Sequence, residues 1–177
     1  MSLIAKKRGD DFQQVPAGTH PAICNAVIDL GLQDGPYGTK PQVLLRFEFP
    51  TELIESGEYK GEPMVMSAFY TNSLSDKANL RRDLEGWRGK TFTETELEGF
   101  DLKNVLGKPC TIGVYHNENG KARIQSISAA MKGMDHELHN DLMWFSLDHH
   151  DENSKEFAAL PEWVQDIVKK RVEEDTP

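Results

Sequence analysis

Five stretches of this chain alternate apolar and polar residues with period two, and between the third and fourth the period turns helical. That order limits the folds open to the chain more than any motif does. Gly18 to Leu32 comes first, with Ala22, Cys24, Ala26, Ile28 and Leu30 expected on one face. The loop signal DGPYGTK follows. In the second stretch Val43, Leu45, Phe47 and Phe49 alternate with Gln42, Leu44, Arg46 and Glu48, and Pro50 ends it. The third runs from Met64 to Thr71, with Val65, Ser67 and Phe69 opposite Met66, Ala68 and Tyr70.

Ser73 and Asp76 then have capping-box spacing, and Leu80, Leu84 and Trp87 form a helical stripe closed by Gly86 and Gly89. Thr93 with Glu96 predicts a second, shorter helical turn. Cys110, Ile112 and Val114 mark a fourth strand. His116 to Gly120 ends in the hairpin dipeptide Asn-Gly, and Lys121 to Ser128 returns as the fifth. Residues 130–160 lack periodicity and read as irregular. Pro161 opens a last helix with Val164, Ile167, Val168 and Val172 on its stripe.

Strand, strand, strand, helix, strand, strand is the order of the OB-fold. The predicted fold is therefore mainly β: a five-stranded OB-fold Greek-key barrel with a helical insert between strands three and four, plus a C-terminal helical extension. An antiparallel β-sandwich of the same strand count is the competing architecture. Residues 1–17 read as a flexible lead-in, 18–131 as the barrel and 132–177 as an acidic extension.

At 38% hydrophobic and 28% charged residues, the composition excludes disorder throughout. No apolar run approaches the ~18 residues of a membrane span, and MSLIAKKRGDDFQQ lacks the apolar stretch of a signal peptide. Two cysteines, Cys24 and Cys110, make neither a disulfide scaffold nor a cysteine zinc site, so a reduced, cytoplasmic setting is expected. The net charge of −9 argues against a nucleic-acid partner until it is mapped. Residues 1–131 hold 15 Lys+Arg against 17 Asp+Glu; residues 132–177 hold 5 against 12. The acidity sits in the last quarter, and the rest is free to carry a basic face.

Barrels of this kind bind oligonucleotides or oligosaccharides on strands two and three and on the loops joining strands one–two and four–five. Single-strand binders need aromatic plates for bases and cations for phosphates. Those places hold Tyr37, Lys40, Arg46, Tyr70, Lys121 and Arg123. The bland alternatives are a half-buried strand tyrosine at Tyr70 and a surface ion pair between Arg46 and Glu48. Arg81, Arg82 and Arg88 are further candidates for phosphate contact, and Trp87 reads as packed. Lys6, Lys7 and Arg8 read as part of a solvated tail or as a nucleic-acid-touching arm.

The stretches THPAICNAVIDLGLQ, KPQVLLRFEFP and SLSDKANLRRDLEGWRGKTFTETELEGFDLKNVLGKPC, with a late PEWVQDIV, resemble a group of small tailed-bacteriophage proteins. The resemblance spans roughly residues 18–128 and 160–168, and is most specific from Ser73 to Cys110. It implies an OB-fold, single-stranded DNA-binding protein of replication or recombination, cytoplasmic in a bacterial host.

No Gly-x-Ser-x-Gly, phosphate-cradling Gly-rich loop or His-Glu-x-x-His is present, so neither an enzyme nor a cofactor is implied. His136, His139, His149 and His150, interspersed with carboxylates, are the one metal-ligand candidate, and a metal-dependent nuclease is the reading they raise. A polar segment with its histidines facing water is the plainer one. The acidic extension is expected either to compete with DNA for the basic face or to recruit phage or host replication proteins. A protein-interaction module built on the same barrel is the alternative function. Trp163 is expected to dock the last helix, on the barrel or on a second copy of the chain.

Overall fold

The computed structural model describes residues 13–173. The Lys6–Arg8 cluster and the last four residues lie outside the described residues. The elements are β1 (Gly18–Gly35), β2 (Gly38–Leu53), β3 (Pro63–Thr71), α1 (Asn79–Arg88), α2 (Glu94–Glu98), a 3₁₀ turn (Leu102–Val105), β4 (Pro109–His116), β5 (Ala122–Ala129), β6 (Met143–Phe145), α3 (Lys155–Ala158) and α4 (Glu162–Lys169). The fold is mainly β, as expected. No helix among the described residues is long and apolar enough to cross a membrane.

The sheet runs β3-β2-β1-β4-β5 with antiparallel ladders throughout. β6 adds to β1 in parallel, Ala26 opposite Met143 and Ile28 opposite Phe145. No ladder joins β3 to β5, so the sheet is open, with those two strands at its edges. The inner face is as the alternation predicts on β2, β3 and β4. Val43, Leu45, Phe47, Phe49, Cys110, Ile112 and Val114 are buried in one cluster, with Met66 and Ala68 packed against it.

On β1 the expected single face is split. A register shift between Cys24 and Ala26 places Asn25 as an extra residue, and a bulge of this kind reverses the parity of the residues that follow, here up to the second shift between Asp29 and Gly31. Ala22, Cys24 and Val27 therefore belong to the inner cluster, whereas Ala26, Ile28 and Leu30 point outward.

The outward face is covered. Phe145, Phe157, Leu160, Val164 and Val168 from the C-terminal segment pack on Ala26, Ile28, Leu30 and Leu44 as a second apolar cluster. Buried polar bonds fix the segment in place. Glu48 on β2, fully buried, accepts from the backbone N–H of His139 at 2.7 Å and that of Asn140 at 2.9 Å. Asp29 accepts from Leu147 N–H at 3.1 Å, and Gln33 Nε2 donates to Ile167 O at 2.9 Å. Gly31 has φ +72°, and a Cβ there would meet Leu147 Cδ1 and Arg171 Cδ at 2.9 Å, so only glycine admits the returning chain. The stretch expected to be irregular thus contains β6 and α3.

The helical insert plugs the end of the sheet. Leu80 and Leu84 are buried, and Trp87 lies 5.6 Å from Phe47 while its Nε1 donates to Pro109 O at 2.8 Å. α1 approaches β5 so closely that a Cβ on Gly86 would collide with the backbone oxygen of Ile127. The Ser73–Asp76 capping box does not form. Ser73 Oγ accepts from Ser75 N–H, Asp76 pairs with Arg81 at 2.9 Å, and the helix begins after Ala78. The Thr93–Glu96 capping box is present with both reciprocal bonds.

Candidate nucleic-acid interface

The free edges of β3 and β5 face each other across a groove floored by α1. Its central recess, about 470 Å³, is walled by Met66, Ala68, Arg82, Asp83, Arg123 and Ile124. A neighbouring recess of about 520 Å³ reaches Lys40, Phe69, Ser75 and Lys77. A third of about 370 Å³ extends the other way to Gln14, Val15, Ile54 and Met64. Phe69, Tyr70 and Asn79 line both of the first two, and Met66, Ser67, Ala122 and Arg123 line both the first and the third. The three recesses therefore form one continuous furrow along β3.

One end of the furrow is tied across by the chain entering β1. Gln13 Nε2 donates to Ser56 O at 3.1 Å in the β2–β3 connection. Gln14 Nε2 donates to Gly120 O at 2.5 Å, and its Oε1 accepts from Ala122 N–H at 2.8 Å at the start of β5. The described part of the lead-in is thus a clamp between two loops.

The furrow is cationic. Lys40, Lys77, Arg82 and Arg123 line it, and among the described lining residues Asp83 is the sole carboxylate. Asp83 is buried and committed: it accepts from Tyr70 Oη at 2.7 Å and from Arg82 Nε at 3.1 Å. The helical stripe explains why Arg82, though bonded to Asp83 through Nε, keeps most of its guanidinium at the surface. Leu80, Leu84 and Trp87 turn inward, leaving the Arg82 side chain 66% exposed. Arg81 and Arg88 are spent within the fold. Arg81 pairs with Asp76 and Glu85. Arg88 bonds Glu96 and lies 4.3 Å from the Phe92 ring centroid.

Three of the predicted binding residues, Lys40, Tyr70 and Arg123, line the furrow. Tyr70 lines the furrow from its buried side. It is buried, its hydroxyl is held by Asp83, and burial first, then the Asp83 charge and hydrogen bond, raise its pKa well above the usual phenol range. The inward phase of β3 put Tyr70 in the core and left its neighbour Phe69 52% exposed. Arg46 is half-buried on the outer face of β2, outside the furrow lining. Burial lowers its pKa and the nearby Glu48 carboxylate opposes that shift, so its charge partly balances a buried acid. Tyr37, 88% exposed at the β1–β2 turn, and Lys121, at the turn before β5, lie outside the lining. Phe69, Lys77 and Asn79 were missed by sequence reasoning; an aromatic on the outward phase of an edge strand was the available signal for Phe69.

The histidines are dispersed. His139 lies 3.8 Å from Glu62, His150 accepts at Nδ1 from Ser146 N–H and packs with His149 against Trp144, and His136 sits near Met131 and Met134. Among the described residues, no three His, Cys, Asp or Glu side chains converge as metal ligands.

A scan against protein-family models finds no match to this chain, and a search of curated proteins finds no significant relative.

Proposed function

We propose that this protein binds single-stranded DNA along the furrow between β3 and β5, without chemistry. The observation that carries the reading is the furrow's charge: four cations line it against a single carboxylate, Asp83, which is paired with Arg82, so Lys40, Lys77 and Arg123 face no carboxylate among the described lining residues. A single strand presents phosphates to such a groove and bases to nearby aromatic rings, a combination that is tolerant of sequence. The strand order supports the reading too. β3-β2-β1-β4-β5 with a helical insert after β3 is compatible with an OB-type barrel, here an open sheet with β3 and β5 at its edges. The setting implied by resemblance is phage replication or recombination in a bacterial cytoplasm.

Fluorescence anisotropy with single- and double-stranded oligonucleotides of matched length tests it. Single strands should bind more tightly. Four phosphate contacts predict a slope of log K against log salt of about −3. Absence of binding at low salt by folded protein overturns the proposal and favours a protein-interaction module, for which the unpaired edges of β3 and β5 offer strand addition. DNA incubated with magnesium, manganese or zinc should stay intact; cleavage that is lost in His136→Ala/His139→Ala protein reverses the non-catalytic reading.

A further inference from the structure

We infer that Phe69 and Trp163 form a two-ring platform for unpaired bases, so that the acidic C-terminal segment completes the DNA site. This rests on the single-strand reading above and adds a site to it on an element that the furrow does not include.

The two rings come from opposite ends of the chain. Phe69 lies on the outward phase of β3, paired with Leu44 of β2. Leu44 is buried in the same apolar cluster as Val164 and Val168, the residues that dock α4 on the sheet. Trp163 immediately precedes Val164, so docking of α4 carries its indole to the side, against Phe69. The ring centroids are 6.2 Å apart and inclined at 59°. Despite that contact Phe69 remains 52% and Trp163 47% exposed. Two large aromatic faces are thus left in water side by side, an exposed apolar patch of the kind that marks a binding site.

Charge selects the occupant. Phe69 lines both recesses that hold Lys40, Lys77 and Arg82. A strand whose phosphates follow those cations has its bases within reach of the ring pair. An apolar peptide gains nothing from the same cations. Sequence-tolerant stacking on aromatic side chains beside a cationic track is the chemistry of single-strand binding.

The experiment uses the full chain with oligo(dT) and with an abasic strand of equal length. Wild-type tryptophan fluorescence should be quenched by oligo(dT). Trp163→Phe should lose most of the quenching, because the reporter is gone; Trp87 and the half-buried Trp144 persist as internal controls. Trp163→Ala and Phe69→Ala should each weaken oligo(dT) binding by roughly 5- to 100-fold, the worth of one base stack, with melting temperatures near wild type. Neither should alter the weaker binding of the abasic strand. Oligo(dT) affinity unchanged in both alanine variants overturns the platform while leaving the furrow reading intact. An equal loss on abasic and oligo(dT) strands overturns it as well. Wild-type protein that binds neither strand removes the furrow reading and the platform together.

Discussion

Glu48 Oε1, in the middle of β2, accepts hydrogen bonds from both the backbone and the side-chain amide of Asn140, 92 residues further along and each at 2.9 Å. A third bond, from His139 N–H at 2.7 Å, engages the other carboxylate oxygen. The carboxylate is fully buried, and these donors, with the nearby Arg46 charge, replace the water it has lost. They latch the C-terminal segment to the sheet just before β6.

Glu48→Ala should release that latch. Hydrogen bonds to charged groups contribute about 1.5–3 kcal/mol each and do not add fully, so a loss of about 3 kcal/mol is expected by chemical denaturation. Hydrogen exchange should speed up at His139, Asn140 and β6 more than at β4. Uniform exchange rates and unchanged stability would show that the latch contributes nothing.

Two truncations separate packing from charge. Cutting from Lys132 removes Phe145, Phe157, Leu160, Val164 and Val168 and uncovers Ala26, Ile28, Leu30 and Leu44. Five such side chains are worth on the order of 10 kcal/mol of burial, comparable with the whole stability of a domain. The long cut should therefore yield unfolded or aggregated protein. Cutting from Glu173 spares the bridge between Leu32 and Val172 and should leave the melting temperature unchanged. If the terminal acids compete for the furrow, the short cut tightens DNA binding at low ionic strength; equal affinity excludes that competition.

The three arginines of α1 should behave differently. Arg82→Ala is expected to weaken single-strand binding and to reduce the salt slope by about 0.7, the share of one phosphate contact. Some loss of melting temperature is expected as well, since the buried Asp83 carboxylate keeps only the Tyr70 hydroxyl; the salt slope is therefore the readout that separates phosphate contact from stability. Arg88→Ala should lower the melting temperature, because it empties the place between Glu96 and the Phe92 and Phe100 rings. An Arg82 variant with the wild-type salt slope would remove that side chain from the interface.

Alkaline pH should destabilise the fold through its thiols. Burial pushes Cys24 up to about 12 and raises Cys110 as well, with the Cys24 charge adding to the second shift. A folded-state pKa above the unfolded value means that the neutral thiol is favoured by folding. The stabilisation is full below the unfolded pKa of ~8.5 and is lost as pH rises towards the folded value. Denaturation midpoints should therefore fall between pH ~9 and ~12, with each thiol contributing on the order of 1 kcal/mol per pH unit. Cys24→Ala should flatten that slope; an identical slope would assign the loss to other groups.

Five strands, their order and the helical insert were legible in the sequence because each is written in local periodicity. Period two on Val43, Leu45, Phe47 and Phe49 points those side chains to one face whatever surrounds them. The i, i+4, i+7 stripe of Leu80, Leu84 and Trp87 fixes the buried face of α1 in the same way. Which side of the sheet each end of β1 serves was not legible. Ala22 to Leu30 alternate without a break, yet the register shift at Asn25 turns the later residues outward onto the C-terminal segment. A bulge arises from pairing with a neighbouring strand, and periodicity along one strand cannot record it. β6 was hidden for a related reason: three residues carry little periodicity, and they become a strand only by docking on Ala26 to Ile28. The candidate interface divided along the same line. Its cationic residue types were readable from composition. Tertiary packing decided that Asp83 holds Tyr70 in the core, that Arg88 is consumed beside Phe92, and that Phe69 meets Trp163, because burial and contact are relations between segments distant in the chain.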